Sequence, residues 1–305
     1  MALIVAAVVI VSVSARIQVH HWESSVKLFR HIITCTDNNF IAHCNLGVAL
    51  MAQGRYKEAL KHLKESDRIY PDFHKTKFDL GVCHENIGDP KKAIEYFNWI
   101  IQNDSTNAIG YFRLGKIVRE NGGDSSSYFL RRAVRIKPDY WKAFFELGRT
   151  MHEKDSLNVA IRCFSEVIRL NPEFWPAYYF LALSWNKKDD FQRAFIRSME
   201  AIEHCKGSSM EPYLGFGILL FKKGKLNSAK ELFSKAIGIS PAQPEAYCNR
   251  AVIYGIQGIL DSAEADYRRA LRLKPDLAAT CKRRIETYIK KGKKELAGGN
   301  RVSAP

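Results

Sequence analysis

Apolar and polar residues alternate along most of the chain with the period of α-helices, in blocks that return about every 34 residues. Residues 43–59, 77–93 and 144–160 each carry Leu-Gly, then a polar turn, then an alanine twelve residues after the glycine. This pattern predicts a pair of antiparallel helices in each block. Leucines at one position of the first helix lie 34, 34, 33 and 34 residues apart: Leu46, Leu80, Leu114, Leu147 and Leu181.

Small residues recur at two matched positions, which indicates a close approach of the two helices. Gly47 and Ala59 form the first pair, and later blocks keep Gly, Ala or Ser at both positions. A glycine within a helix costs about 1 kcal/mol relative to alanine, so its recurrence needs a packing reason. Pro71 falls where the second helix must stop, because the residue before a proline is disfavoured in a helix. A left-handed cap is expected at the end of the first helix, at Gly54, Gly88, Gly122, Gly224 and Gly258.

This signature of Leu-Gly, Ala and Pro resembles the tetratricopeptide repeat, a helix–turn–helix unit of 34 residues. The resemblance implies an all-α fold: an α-solenoid that forms a right-handed superhelix with a concave groove. A partial repeat is expected over residues 22–39, a capping helix over 278–297 and a flexible tail over 298–305. Between them, the seven repeats of residues 40–277 are assigned to 40–73, 74–107, 108–140, 141–174, 175–208, 210–243 and 244–277.

The N-terminal residues 1–21 differ from the repeats because they begin with an uncharged apolar run from Ala2 to Ala15. A helix of that length rises about 21 Å, which is short of the roughly 30 Å hydrocarbon core. Residues 2–19 span more of the membrane if Arg16 reaches the interface. A single-pass membrane anchor is the first expectation. A cleaved signal peptide and a buried N-terminal helix are the alternatives.

A second resemblance begins at Arg16. The segment is similar to the junction where the last membrane helix enters the repeat region of transmembrane and tetratricopeptide-containing O-mannosyltransferase-like proteins. Trp22, Leu28-Phe29, Asn38-Asn39 and Ala42 carry this resemblance. It implies the membrane exit and repeat domain of a split or truncated enzyme whose catalytic part lies elsewhere.

The side of the membrane is predicted in two opposite ways. The junction resemblance implies that the repeats lie in the periplasm or lumen. The positive-inside rule favours the cytoplasm instead, because Arg16, Lys27 and Arg30 follow the apolar run and no basic residue precedes it.

Composition adds charge to this picture. Lys and Arg total 47 against 32 acidic residues, for a formal charge of +15, which suits an acidic partner or an anionic surface. Nucleic-acid binding is not expected. The seven cysteines are an odd number without a CxxC pair, so neither a disulfide framework nor a four-cysteine zinc site is expected.

The sequence offers no catalytic constellation. It contains no GxGxxG, Walker A, HExxH or GxSxG string. The Cys83-His84 pair joins adjacent helical residues, which point about 100° apart and so cannot ligate one metal together. We therefore expect no enzyme activity, no cofactor and no metal in this chain.

Candidate binding residues follow from the family resemblance, since positions 2, 5, 9, 12 and 13 of the first helix line the groove in tetratricopeptide proteins. Aromatic anchors and central cations there predict an extended protein or peptide ligand with an acidic group or a C-terminal carboxylate. The alternative is that the aromatic side chains only fill the space between repeats. The predicted groove residues are Phe78, Phe112, Lys116, Arg119, Phe145, Arg149, His152, Tyr179 and Leu183.

These observations predict a membrane-tethered scaffold for protein interaction. One alternative is an accessory or substrate-presenting repeat domain of a membrane glycosyltransferase system. The other is a soluble cytoplasmic adaptor whose first helix belongs to the core.

Overall fold

The computed structural model describes residues 24–276 and 281–286, and the fifteen long helices in them confirm the all-α solenoid fold class. The predicted helix over residues 1–21, with its anchor over 2–19, lies outside the described residues, as do the tail and most of the predicted cap. The helices are α1 Ser25–Cys35, α2 Phe40–Ala52, α3 Tyr56–Ile69, α4 His74–Asn86, α5 Pro90–Asn103, α6 Ala108–Glu120, α7 Ser126–Ile136, α8 Trp141–Glu153, α9 Leu157–Leu170, α10 Trp175–Lys187, α11 Phe191–Cys205, α12 Glu211–Lys222, α13 Leu226–Ile239, α14 Pro244–Ile256 and α15 Leu260–Leu273.

The helices alternate between two roles from α2 onward. The even-numbered helices α2 to α14 are the first helices of the repeats and are called A helices below, and each is followed by its B helix.

The chain divides into two compact units, residues 1–146 and 147–305. Within each unit, successive helices pack against one another, and two A helices also touch: α2 with α4 in the first unit and α10 with α12 in the second.

The recurring glycines allow the A and B helices to approach closely. A Cβ atom on Gly47 would lie 2.6 Å from Leu63 Cγ, and one on Gly217 would lie 2.6 Å from Phe233 Cε1. Leu63 and Phe233 are almost wholly buried. The residue that faces the glycine is thus the large apolar side chain four positions beyond the small B-helix residue, not the small residue itself as the sequence pattern predicted. The same contact recurs at Gly81 with Phe97, Gly115 with Leu130 and Gly148 with Phe164.

The turns between A and B helices use a left-handed residue, as predicted. Gly54 and Gly224 have φ angles of 73° and 74°, a region that glycine enters without steric cost. Asp155 and Asp189 take the same place in the fourth and fifth repeats, with φ of 58° and 59°.

One disulfide is present, although the cysteine count and spacing did not indicate it. Cys248 on α14 is joined to Cys281, at the start of the helical residues 281–286, with a Cα–Cα distance of 5.6 Å. The two cysteines are 33 residues apart, which is close to one repeat period. Equivalent positions of neighbouring repeats lie side by side, so this spacing brings two cysteines together without a CxxC motif.

The glycine contact predicts opposite effects for two glycines of the second unit. Gly217→Ala forces the Phe233 ring to move and is expected to lower the free energy of unfolding by about 1–3 kcal/mol. Gly238→Ala is the matched control, because nothing lies within 4 Å of a Cβ there, and it should raise that free energy by about 0.5–1 kcal/mol. Urea denaturation of both variants measures the difference, and equal effects of the two substitutions would contradict the packing role.

Candidate functional site

The side of the A helices that carries the predicted groove residues is called the A-helix face. In the first unit, neighbouring A helices are linked across this face by side chains. Lys75 Nζ donates to Asn45 Oδ1 at 3.0 Å, and Cys44 Sγ lies 3.8 Å from Asp79 Oδ2. These contacts join α2 to α4, so the face is continuous from one repeat to the next in this part of the chain.

The predicted cations of the first unit already have carboxylate partners. Glu85 on α4 accepts from Arg113 at 2.8 Å and from Lys116 at 3.0 Å, both on α6. Arg119 Nε donates to Glu146 at 3.0 Å, and these two side chains are only 10% and 12% exposed. An external carboxylate would have to displace Glu85 or Glu146 to reach these cations.

The acidic partners Glu85 and Glu146 were missed by the sequence reasoning, although a signal for them exists. Glu85 lies 31 residues before Lys116. This separation is shorter than one repeat by about one turn of helix. Residues at that spacing face each other across adjacent A helices. A search for opposite charges at this spacing would have found the pair.

The aromatic residues of the first unit are mostly packed between helices. Phe112 is 9% exposed and its ring lies 5.0 Å from that of Tyr140. Phe78 is half-buried and contacts Phe97 with ring centroids 5.7 Å apart. Phe145 is also half-buried. Packing between repeats is therefore the observed role of Phe112.

Arg149 and His152, in the second unit, contact α10. The Arg149 guanidinium lies 5.5 Å from the centre of the Phe180 ring. His152 Nδ1 is 2.9 Å from Ser184 Oγ, whose hydroxyl donates to the carbonyl of Phe180. Burial, assisted by the charge of Lys187, lowers the pKa of His152. The imidazole is therefore a neutral hydrogen-bonding group at pH 7 rather than a cation for a ligand.

The apolar part of the A-helix face lies on α10 and α12. The Tyr179 ring rests on Gly215, where an added Cβ would come within 2.7 Å of a ring carbon. Gly215 thus has a packing role in this face. Leu183 and four further side chains are half-buried there. We call this surface the second-unit face, and its residues are Tyr179, Leu183, Leu214, Ile218 and Phe221.

A half-buried carboxyl group in the first unit, that of Asp79, was not predicted. Burial raises the pKa of Asp79 to about 6, against the opposing charge of Lys75. Cys83 lies near this carboxyl, and burial raises the pKa of its thiol to about 12. The cluster has no group poised as a nucleophile, since a thiol with so high a pKa stays protonated at neutral pH.

Asp79 predicts a pH dependence of stability. Its pKa is higher in the folded chain than the ordinary 3.8, so its stabilising contribution is complete below pH 4 and is lost as the pH rises through 6. When the pH is raised from 4 to 8, the unfolding free energy of Asp79→Asn should therefore gain about 1–2 kcal/mol relative to that of the wild type. Urea midpoints at the two pH values measure this gain.

Asp72→Asn is the matched control for that experiment, because Asp72 is exposed on the same unit. Its difference from the wild type should be the same at both pH values. A pH-independent effect of Asp79→Asn would contradict the raised pKa of this carboxyl group.

The described residues contain neither a cluster of metal ligands nor a membrane-spanning helix. Over 24–276 and 281–286, no three His, Cys, Asp or Glu side chains come together as a metal site would require. In the same residues, no helix has both the length and the apolar composition needed to cross a bilayer.

Comparison with known proteins agrees with the repeat architecture. Models described as a tetratricopeptide repeat match residues 21–74, 50–108 and 244–277, and one described as a TPR repeat matches 217–258. A solved structure of the C-terminal part of a TPR repeat-containing protein from Cytophaga hutchinsonii is similar with a TM-score of 0.58. It is 16% identical and covers 73% of this chain and 92% of that one.

Curated relatives match the chain over part of their own length. Anaphase-promoting complex subunit 3 of Schizosaccharomyces pombe is 23% identical over 145 residues, which are 47% of this chain and 22% of that protein. Protein O-mannosyl-transferase TMTC3 of Mus musculus is 23% identical over 234 residues, 76% of this chain and 20% of that protein. The chain spans about a fifth of the length of these relatives. It is a protein built of tetratricopeptide repeats, and it is similar at low identity to protein O-mannosyl-transferase TMTC3.

Proposed function

We propose that this chain is a scaffold that binds a protein partner through the second-unit face. The observation that carries the proposal is the half-buried apolar surface shared by α10 and α12. Its residues come from two A helices that touch, so their relative positions are fixed before a partner arrives. Such preformed apolar surfaces lose little entropy on binding.

The edges of this face indicate the chemistry of the partner. Lys222, at the end of α12, is exposed and has no carboxylate within 4.0 Å among the described residues. Lys187, at the end of α10, is 46% exposed and pairs with Asp155 at 2.8 Å. A partner with apolar side chains and a nearby carboxylate would contact the face and its basic edge together.

The second-unit face does not include the central cations that the sequence predicted as binding residues. Lys116 and Arg119 are proposed to stabilise the contact between repeats rather than to receive a ligand, because Glu85 and Glu146 already pair with them. The acidic character expected of the partner is kept, but the lysine that meets it is Lys222.

A double substitution in the face tests the proposal. Random dodecapeptides displayed on phage are selected on the full chain, and the enriched peptides are measured by fluorescence polarisation. Leu183→Ala with Ile218→Ala should weaken their binding about tenfold or more, because anchor residues at interface centres carry most of the affinity.

The matched control replaces two exposed apolar residues of B helices in the same unit, Leu271→Ala with Ile239→Ala, which are 37% and 36% exposed. This control should bind the peptides as the wild type does. Failure to enrich any peptide, or equal losses in the two double variants, would overturn the proposed function.

Membrane tethering and a lumenal or periplasmic location are part of the proposal. The similarity to a protein O-mannosyl-transferase over 76% of this chain supports an accessory or substrate-presenting role beside a membrane glycosyltransferase as the second candidate. The Cys248–Cys281 disulfide supports the same compartment, because structural disulfides persist in oxidising environments. A cytoplasmic adaptor remains the third candidate.

Fractionation of the native organism separates these candidates. After alkylation without a reductant, we expect the protein in the carbonate-resistant membrane fraction with Cys248 and Cys281 linked in one tryptic fragment pair. Recovery in the soluble fraction with both thiols alkylated would contradict the tether and the oxidising compartment and would support the cytoplasmic adaptor.

The proposal that the chain is not itself an enzyme rests on its fold. Tetratricopeptide helices build a binding surface, and the transferase named among the relatives matches this chain over only 20% of its own length. The remaining four fifths of that protein are available for its chemistry.

A further inference from the structure

A second apolar surface lies on α11, the B helix of the fifth repeat. Ile196 and Met199 on α11 are each 53% exposed, and they are three residues apart on one side of the helix. Phe191 and Phe195 lie beside them, half-buried, with ring centroids 5.8 Å apart. We call this surface, together with Lys223 and Lys225, the turn-edge patch.

The fold does not require apolar residues at the position of Ile196. The equivalent residue, at position 22, is charged in four of the six other repeats, as Lys61, Glu95, Arg162 and Glu231, and is Tyr128 in the third repeat and Ala265 in the seventh. Those four repeats form the same helix pairs with a polar residue there. An exposed isoleucine in the fifth repeat therefore needs an explanation other than packing.

The patch contains a depression of side-chain size. Its volume is about 280 Å³, and Phe191, Gln192, Phe195, Ile196 and Lys225 line it. The two rings and Ile196 form an apolar wall, whereas Lys225 and Gln192 are polar. This open depression has room for an apolar side chain next to the lysine.

Within residues 24–276 and 281–286, the lysines of the patch have no acidic partner. Lys223 and Lys225 are exposed in the turn before α13, and in the described part of the chain no carboxylate lies within 4.0 Å of either. Lys223 Nζ lies 5.4 Å from the centre of the Phe191 ring, and Lys225 Nζ lies 5.8 Å from that of Phe195. These cation–π contacts keep both ammonium groups beside the two rings.

The acidic group at the start of the same helix is already engaged. Asp190 Oδ1 accepts from the Arg193 backbone N–H at 3.0 Å and so caps α11. Its other oxygen lies 3.6 Å from the Arg193 guanidinium, which in turn stacks on Trp185 at 4.5 Å. Asp190 therefore leaves the charge of Lys223 and Lys225 uncompensated.

We propose that the turn-edge patch is a second docking site, for an acidic peptide whose apolar side chain enters the depression while its carboxylates meet Lys223 and Lys225. Charge complementarity and the recess together favour this occupant, because a bilayer surface does not fill a recess of side-chain size. The proposal goes beyond the function assigned to the second-unit face and uses none of its residues. Two partners could then occupy one chain at the same time.

The probe for this site is a fluorescein-labelled acidic peptide, EDELFDLLEDE, titrated with the full chain in fluorescence polarisation. Lys223→Glu with Lys225→Glu should weaken binding about tenfold or more, since two complementary charges become repulsive. Ile196→Ala with Met199→Ala should weaken it about fivefold through lost apolar contact. A version of the peptide with alanine in place of leucine and phenylalanine should bind as weakly as the charge-reversed variant binds the probe.

Two controls separate the patch from other basic surfaces. Lys235→Glu with Lys274→Glu makes the same charge change at exposed lysines elsewhere in the second unit, and it should change the affinity less than twofold. Leu183→Ala with Ile218→Ala, which disables the second-unit face, should also leave this binding unchanged.

Several outcomes would overturn the turn-edge site. These are the absence of probe binding to the wild type, equal losses in the patch variants and in Lys235→Glu with Lys274→Glu, or a loss caused by the second-unit variant. Sedimentation with phosphatidylserine vesicles tests whether an anionic membrane, rather than a peptide, binds the patch. Vesicle binding that depends on Lys223 and Lys225 without peptide binding would replace the peptide by an anionic membrane.

Discussion

The close contact between a glycine of the A helix and a large apolar side chain of the B helix, found in five of the seven repeats, is the constraint on which the other features depend. At Gly148 and Gly217 an added Cβ would overlap a phenylalanine ring of the next helix. The contact sets the distance between the two helices and buries Phe164 and Phe233 almost completely. Where the fifth and seventh repeats have alanine instead, the same position still carries the smallest side chain that a helix favours.

Because one side of each A helix packs against its B helix, another side is available for contacts between repeats and with partners. In the first unit that side is polar and internally compensated, since Glu85 and Glu146 pair with the cations of α6. Breaking a nearly buried pair such as Arg119–Glu146 costs about 3–5 kcal/mol, which favours a structural role for that pair. In the second unit the corresponding side is apolar and half-buried. Tyr179 rests on Gly215 there, and Leu183, Leu214 and Ile218 extend the apolar surface. Two surfaces built on the same repeat thus differ in what they can bind.

The fold could be predicted from the sequence because its signals are local and repeated. Leu46, Gly47 and Gly54 lie within one helix and its turn, and each recurs at the same spacing in other repeats. The sequence did not distinguish packing roles from binding roles among the aromatic candidates. Phe112 and Tyr179 occupy equivalent positions, yet one packs against Tyr140 and the other lies over a glycine. That difference depends on which residue the next helix presents.

Contacts between repeats were the part that the sequence reasoning missed. The Glu85–Lys116 pair and the Cys248–Cys281 bond each join residues separated by about one repeat. Their pairing depends on how far one repeat is rotated relative to the next, which the pattern within a single repeat does not contain. The turn-edge patch has the same origin, because α11 supplies its rings and the turn of the following repeat supplies its lysines.

Site-specific photocrosslinking tests the central claim, that a protein partner binds the second-unit face, most directly. The photoreactive residue p-benzoylphenylalanine is placed in turn at positions 183, 218 and 271, and the native organism is irradiated. We predict that positions 183 and 218 crosslink to the same partner protein and that position 271, on an exposed B helix, gives no such product. Equal crosslinking from all three positions, or none from 183 and 218, would contradict the account.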